Sequence, residues 1–437
     1  MEFHFSLNND SYANEIGGIR GILQIHINGA VFYEDMCANV YVLATHLAQW
    51  LQTIESGQMI DFVYNEQPLQ FHVQEEGVRV YAPYKHQSFE LLPIEMVKQA
   101  VLDYCIKLYI ALVRIGYKSR LAYQLKQLVS ENKWALILFE SNQYDEAFTL
   151  LEKLAHEKPS VESLNNYAYL LLREEEEYER AWDVLQQALL LQPQSDFPYL
   201  MLGELAIHFK YFKEAETYLQ KALQFRKSEV AIHNIGISQY FLGKYEQAAQ
   251  AFSQCTGDSG TVQLYEVVSW MRAGHTGKAK SLLNAWNKAS DDYTGAIEIA
   301  DVYVELGCYE EAHTYFAKEW KEYYLEPYTI SRYAYTLWQL GHIEVCHQIV
   351  QQAIVNKKEE IIDVQQSELD EHWSQSDRAE RLIELQLELN ELHSLTERLA
   401  QRFVPAFQFE LSSTTGCQLF GCPLHGHPEY KELVNES

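Results

Sequence analysis

From residue 23 onward apolar and polar side chains alternate: Leu23, Ile25 and Ile27 are separated by Gln24, His26 and Asn28. Successive side chains of an extended strand point to opposite faces, so the alternation predicts a half-buried strand. Asn28-Gly29 then predicts a two-residue hairpin turn into Val31-Phe32-Tyr33, because both residue types tolerate left-handed backbone. Beyond this the period changes. Val40, Leu43, Leu47 and Leu51 share one helical face and predict a helix from Asn39 to Leu51. Short apolar runs at Ile60–Tyr64, Leu69–Val73 and Val78–Tyr81, punctuated by Pro68 and Gly77, predict three more strands. A long apolar helix starts after Pro93 and runs to Ile115. Residues 1–118 are therefore expected to form an α+β domain of antiparallel strands plus two helices.

A longer regularity follows. A phrase of the form Gly or Asn, any residue, aromatic or apolar, polar, polar or acidic, Ala first occurs at Asn142–Ala147. Its last position recurs at Ala181, Ala215, Ala248, Ala279, Ala312 and Cys346, at separations of 34, 34, 33, 31, 33 and 34 residues. A second series of small residues, Ala135, Ala168, Gly203, Gly236, Ala300 and Ala334, precedes these anchors. Two small positions per unit let two helices approach closely. The fifth unit is shorter and has Val267 at its small position, and the second carries an extra residue in Glu174–Glu177. In register and chemistry, residues 119–358 resemble the tetratricopeptide repeat (TPR) family. The resemblance implies a mainly α fold: a superhelical solenoid of about seven repeats, preceded by the small α+β domain and followed by C-terminal helices. Other helical-pair solenoids are the alternative.

Residues 359–403 read as C-terminal capping helices. Leu382, Leu385, Leu389, Leu392, Leu399 and Phe403 form one apolar seam, which suits either a cap over the last repeat or a dimer contact. Residues 404–437 contain Pro405, Pro423 and Pro428 and read as an irregular tail.

Composition narrows the functional classes. Of 437 residues 61 are acidic and 34 are Lys or Arg, giving a formal net charge of -27. Such a chain repels polyanions, which argues against nucleic acid and for a basic protein or peptide. No run of 18 uninterrupted apolar residues occurs, so no membrane span is expected. Seven cysteines cannot all pair within one molecule, and reduced thiols in a cytoplasmic protein account for them most simply.

Catalytic signatures are lacking. Gly274-His275-Thr276-Gly277-Lys278 has Arg272 and Ala279 where a phosphate loop needs Gly and Ser or Thr, and it reads as a repeat turn. Gly17-Gly18 reads as a loop. His4, His26, His46, His72 and His86 crowd the first domain, with His26 and His72 on polar strand faces. Cys417, Cys422, His425 and His427 are zinc-ligand types, but only one residue separates the histidines, which hinders both from reaching one ion. No metal and no cofactor is expected, and no enzyme.

The resemblance also implies which side chains face the concave groove. Those expected to bind a partner are Asn165, Tyr169, Arg173, Glu204, His208, His233, Tyr240, Arg272, Asp301, Glu305, Tyr335 and Trp338. The chaperone-binding subclass grips a C-terminal carboxylate with Lys, Asn and Arg at fixed inward places, and apart from Asn132 and Asn165 this groove lacks them at those places. An aromatic groove with acidic members suits a segment carrying apolar anchors and some Lys or Arg. The expected function is a protein- or peptide-binding adaptor, an immunity or antitoxin protein of bacterial type neutralising a basic partner being one form. Alternatives are a peptide-responsive regulator and an enzyme that uses the N-terminal domain.

Overall fold

The computed structural model describes residues 1–7, 19–64, 69–82, 87–88, 91–117, 119–255, 260–285, 295–322, 326–369 and 373–435. Gly17, Gly18, Pro68 and His86, singled out above, lie outside these.

The N-terminal domain holds two antiparallel sheets. β1 (Glu2–Leu7), β2 (Arg20–Ile27) and β3 (Ala30–Asn39) form the first; β4 (Phe62–Tyr64), β5 (Leu69–Gln74), β6 (Gly77–Ala82) and β7 (Gln87–Ser88) form the second. The alternation in β2 buries Leu23, Ile25 and Ile27, and the hairpin turn places Asn28 and Gly29 at φ 52° and 78°. β1 was not anticipated; it pairs with β2, setting Phe3 opposite Ile25. Helix α1 (Val40–Glu55) begins where the Asn39 side chain accepts the Val42 N–H at 3.2 Å. Helix α2 (Ile94–Arg114) starts after Pro93, which needs no backbone donor at a helix entry. One apolar core joins the sheets and both helices and extends to Leu121 and Leu125 of α3 (Leu121–Leu128). The same core takes in Trp134 and Ile137, so the first helix of the first repeat packs with this domain.

Seven helical pairs follow: α4 (Glu131–Glu140) with α5 (Tyr144–Glu157), α6 (Val161–Arg173) with α7 (Tyr178–Leu190), and α8 (Phe197–His208) with α9 (Phe212–Ala222). Then come α10 (Glu229–Phe241) with α11 (Tyr245–Phe252), and α12 (Gly260–Arg272) with α13 (Thr276–Ala285). The last two are α14 (Ala296–Glu305) with α15 (Tyr309–Glu322), and α16 (Pro327–Gln339) with α17 (Ile343–Gln366). All seven anchors from Ala147 to Cys346 are fully buried, as are Ala135, Ala168, Ala300 and Ala334. At Gly236 an added Cβ would lie 2.7 Å from the Phe252 ring, which explains the need for a residue without a side chain.

Each pair turns through one left-handed residue. These are Asn142, Glu176, Lys210, Gly243, Gly274, Gly307 and Gly341, with φ between 53° and 86°. The next amide reaches back to the first helix, as in Gln143 N–H to Leu138 O at 3.0 Å and Lys244 N–H to Gln239 O at 2.8 Å. Such bonds satisfy carbonyls that a helix end leaves orphaned.

The chain divides into two compact units, the boundary falling inside α8. One comprises residues 1–205, 224–226 and 416–437; the other comprises 206–223 and 227–415. In the second, α18 (Gln375–Ala400) buries Leu389, Leu392, Leu395 and Leu399 in a core shared with Ile330 and Ala334 of α16 and Ile349 and Ala353 of α17. Residues 403–429 form neither helix nor strand, and α19 (Tyr430–Asn435) closes the described chain.

Candidate functional site

The face carried by the first helices of the pairs is where the expected partner-binding residues lie, and in both units it holds the chain's own tail. In the first unit Asn166 on α6 reads one tail residue through both backbone groups. Its Oδ1 accepts the Phe420 N–H at 2.9 Å and its Nδ2 donates to the Phe420 carbonyl at 2.9 Å. Asn132 on α4 also donates to that carbonyl, at 3.3 Å, and Asn165 donates to the Gln418 carbonyl at 2.7 Å. All three asparagines are buried. The Phe420 ring enters a contact with Phe197 at 4.9 Å between centroids and Tyr430 at 5.2 Å.

Tail side chains are also engaged here. Ser130, which caps α4 by accepting the Lys133 N–H at 3.0 Å, donates its hydroxyl to Glu429. Burial, with the nearby Glu429 charge, pushes the Glu162 carboxyl up to about 7. Cys417, Cys422 and His425 bring their ligand atoms within 4.8 Å of one another. Sharing a hydrogen bond with Cys422 draws the Cys417 thiol down to about 7, while the same bond and burial push Cys422 up. His427 is engaged otherwise: its Nδ1 is 3.1 Å from the Leu419 carbonyl and its ring packs on Phe197.

The second unit repeats the device. Asn234 on α10 accepts the Thr414 N–H at 2.9 Å and donates to the Thr414 carbonyl at 2.9 Å. His233 donates to the Ser412 carbonyl at 3.1 Å, while the Ser412 N–H reaches the Tyr265 hydroxyl at 3.0 Å. Burial holds the His233 imidazole below its usual range, against the opposing carbonyl bond. Further along, the Tyr328 hydroxyl accepts the Gln408 N–H at 2.9 Å and donates to Asp301. Arg332, fully buried, donates to the Pro405 carbonyl at 2.9 Å, bonds Asp301, and reaches Glu305 at 2.9 Å. Desolvation pushes the Asp301 carboxyl up, and the Arg332 charge works against it. Arg272 lies over the Phe407 ring at 5.3 Å.

The remaining expected residues fall on the same face with other roles. Arg173 and Glu204 pair through both guanidinium nitrogens, one bond at 2.5 Å, and Arg173 stacks on Tyr169 at 5.6 Å. Tyr169 is driven to about 12 chiefly by burial. His208 is exposed, its ring 5.3 Å from Phe209. Tyr240 contacts Tyr245, Tyr335 contacts Tyr309, and Trp338 contacts His347, at 5.2, 6.1 and 6.4 Å. Asn166, Asn234, Tyr265, Tyr328 and Arg332 were not singled out as binding residues. A signal existed: Asn132, Asn166 and Asn234 are spaced by 34 and 68 residues, one and two repeat lengths.

Residues 1–114 match a domain family of unknown function (DUF7878), and residues 140–222 match the family model of anaphase-promoting complex, cyclosome, subunit 3. No curated protein matches the chain. Among solved structures it is similar to a tetratricopeptide repeat protein from Parabacteroides merdae, at 17% identity over 56% of this chain and 95% of that one, with a TM-score of 0.34. Yeast Tom70 matches at 14% identity over 71% of this chain and 62% of its own, with a TM-score of 0.34. The Cut9–Hcn1 hetero-tetramer of the APC/C matches at 12% identity over 70% and 69%, with a TM-score of 0.33. At such scores the overlays carry no argument, and the repeat assignment rests on the helical pairs and the family match. The chain is a TPR-like helical-repeat protein with a small β-containing domain in front, a scaffold type suited to protein interaction. No described helix is long and apolar enough to cross a membrane.

Proposed function

We propose that this chain is a non-catalytic protein- or peptide-binding adaptor whose groove takes an extended segment by its backbone, and that its own tail fills the groove until a partner segment replaces it. The observation that carries this is the paired clamp: Asn166 and Asn234 each bond both the N–H and the carbonyl of one tail residue, Phe420 and Thr414. An amide side chain that meets both backbone groups reads an extended chain without regard to sequence, as strand addition does. Specificity then falls to the apolar contacts of each unit, such as that of Phe420 with Phe197 in the first and the ring stack of Phe407 and Phe409 in the second. The acidic character of the chain favours a partner segment with Lys or Arg flanking its apolar anchors. Neutralisation of a basic toxin is one form of this reading and has charge alone behind it.

The test uses as baits the full-length protein and its Phe407→Ala/Phe409→Ala/Phe420→Ala variant, which loosens the tail and keeps both asparagines. A partner captured by the variant in excess over the parent, and eluted by a synthetic peptide spanning residues 404–430, supports the reading. Identical captures that the peptide does not elute contradict it.

A further inference from the structure

The tail segment at the first unit's groove is more than an extended strap. Gly421 and Gly426 take left-handed backbone at φ 77° and 64°, and the chain closes on itself through Gly421 N–H to Pro428 O at 2.9 Å and His427 N–H to Cys422 O at 3.2 Å. The loop so formed brings Cys417, Cys422 and His425 together, all ligand atoms within 4.8 Å, with the Cys422 sulfur 3.2 Å from His425 Nδ1. Zinc bonds to sulfur at about 2.3 Å and to imidazole at about 2.0 Å, so ligand atoms around one tetrahedral ion stand roughly 3.5–3.8 Å apart. The cluster is therefore already close to the spacing that an ion would need.

A fourth donor comes from outside the tail. Glu140, the last residue of α4, has Oε1 at 3.8 Å from the Cys422 sulfur. Its other oxygen, Oε2, is held at 3.3 Å by Arg114, whose Nε also donates to the Glu140 carbonyl at 2.7 Å. One carboxylate oxygen is thus oriented and the other left beside the Cys422 sulfur, as outer-shell partners commonly arrange metal-binding carboxylates. The expectation of no metal here counted donors within the tail alone. His427 is turned to the Leu419 carbonyl, and the carboxylate of a helix 282 residues earlier in sequence from Cys422 takes its place.

We propose that Cys417, Cys422, His425 and Glu140 form a tetrahedral site for a thiophilic divalent cation of the zinc class, which fastens the tail to the first repeat. On uptake the two thiols release their protons to solvent and coordinate as thiolates. Two thiolates and one carboxylate on a dication leave one negative charge, which Arg114 offsets. His425 is exposed and lines a cleft of about 760 Å³ with Lys107 and Lys133, giving the ion a route from solvent. The site stands on this geometry and not on displacement of the tail by a partner.

The experiment is metal analysis of the full-length chain purified under reducing conditions without chelator, with Co²⁺ exchange read by absorption. Expected are one zinc per chain and a tetrahedral Co²⁺ spectrum with thiolate charge-transfer bands. Cys417→Ser and Cys422→Ser should abolish both, Glu140→Gln should weaken binding by tenfold or more, and His427→Gln should leave it unchanged. Circular dichroism on each variant separates lost ligation from lost folding, and the His427→Gln control keeps the test decisive. Absence of stoichiometric metal together with a featureless Co²⁺ titration would overturn the site. Full affinity in Glu140→Gln would overturn the link to α4, and a Cys417–Cys422 disulfide in protein taken directly from cells would overturn the role of the thiols.

Discussion

The two units hold the tail with the same clamp and different surroundings. In the first, residues 418–423 are continuously buried around Phe420, and the chain is folded into a closed loop. In the second, residues 404–415 run extended, with exposed positions alternating against covered ones, and only Pro405 and Leu411 are buried. A peptide bond pair buried beside an asparagine cannot fall back on water when the clamp is lost, whereas a half-exposed one can. The comparison teaches that the extended stretch is the part of the tail easiest to exchange, and the folded loop the part that anchors it. Release, on this account, starts among residues 404–415.

The largest expected effect lies in the second unit's ionic cluster. Arg332→Ala leaves Asp301 buried without its counter-charge, and breaking such a pair costs about 3–5 kcal/mol. Urea denaturation should show that loss, along with faster amide exchange over residues 404–411. Gly236→Leu should cost about 1–3 kcal/mol by driving a side chain into Phe252. Because Arg332 holds the tail at Pro405 and Gly236 does not, exchange over residues 404–411 under native conditions should change less in Gly236→Leu than in Arg332→Ala, which separates losing stability from losing the tail.

Asparagine replacements compare the two grooves directly. Asn166→Ala strands the N–H of Phe420 in a buried setting and should cost about 2–3 kcal/mol; Asn234→Ala, at half-exposed Thr414, should cost about 1 kcal/mol. Thermal unfolding of the pair gives that order, and equal costs would break the comparison.

The last effect is a pH dependence confined to the first unit. Glu162 faces Glu429, Lys431, Glu432 and the Tyr430 amide, and its folded carboxyl is raised to about 7 from an ordinary 4.5. The folded state therefore binds the extra proton, so this contribution is full below pH 4.5 and is lost as pH rises through about 7. The parent should gain stability relative to Glu162→Gln as pH falls from 8 to 5, measured by denaturation at each pH.

Much of this was legible in the sequence. Small residues at fixed offsets are forced by close helix packing, so the seven anchors from Ala147 to Cys346 mark seven pairs in the sequence itself. The left-handed turn residues follow the same register, yet Glu176 and Lys210 hide it because nothing in their chemistry marks positive φ. Strand β1 escaped because Glu2–Leu7 is too short to signal alone and exists through its pairing with β2. The twelve groove positions came from the resemblance to the tetratricopeptide repeats, which implies the inward positions of each unit. Their occupant did not. Phe403, Pro405, Phe407, Phe409 and Leu411 alternate as a strand would, but the partner is a row of side chains rather than a neighbouring strand. Glu140 was invisible as a companion of Cys422 because only the folded tail brings them together.

The most direct measurement is hydrogen exchange, resolved by residue, on the full-length chain. An irregular segment with no ladder of its own ordinarily exchanges at the rate of unfolded chain. The account predicts strong protection at Thr414 and Phe420, with Phe420 the slower, and loss of protection at each in its own asparagine variant. Exchange at unfolded rates across residues 404–430 in the unaltered protein would contradict it.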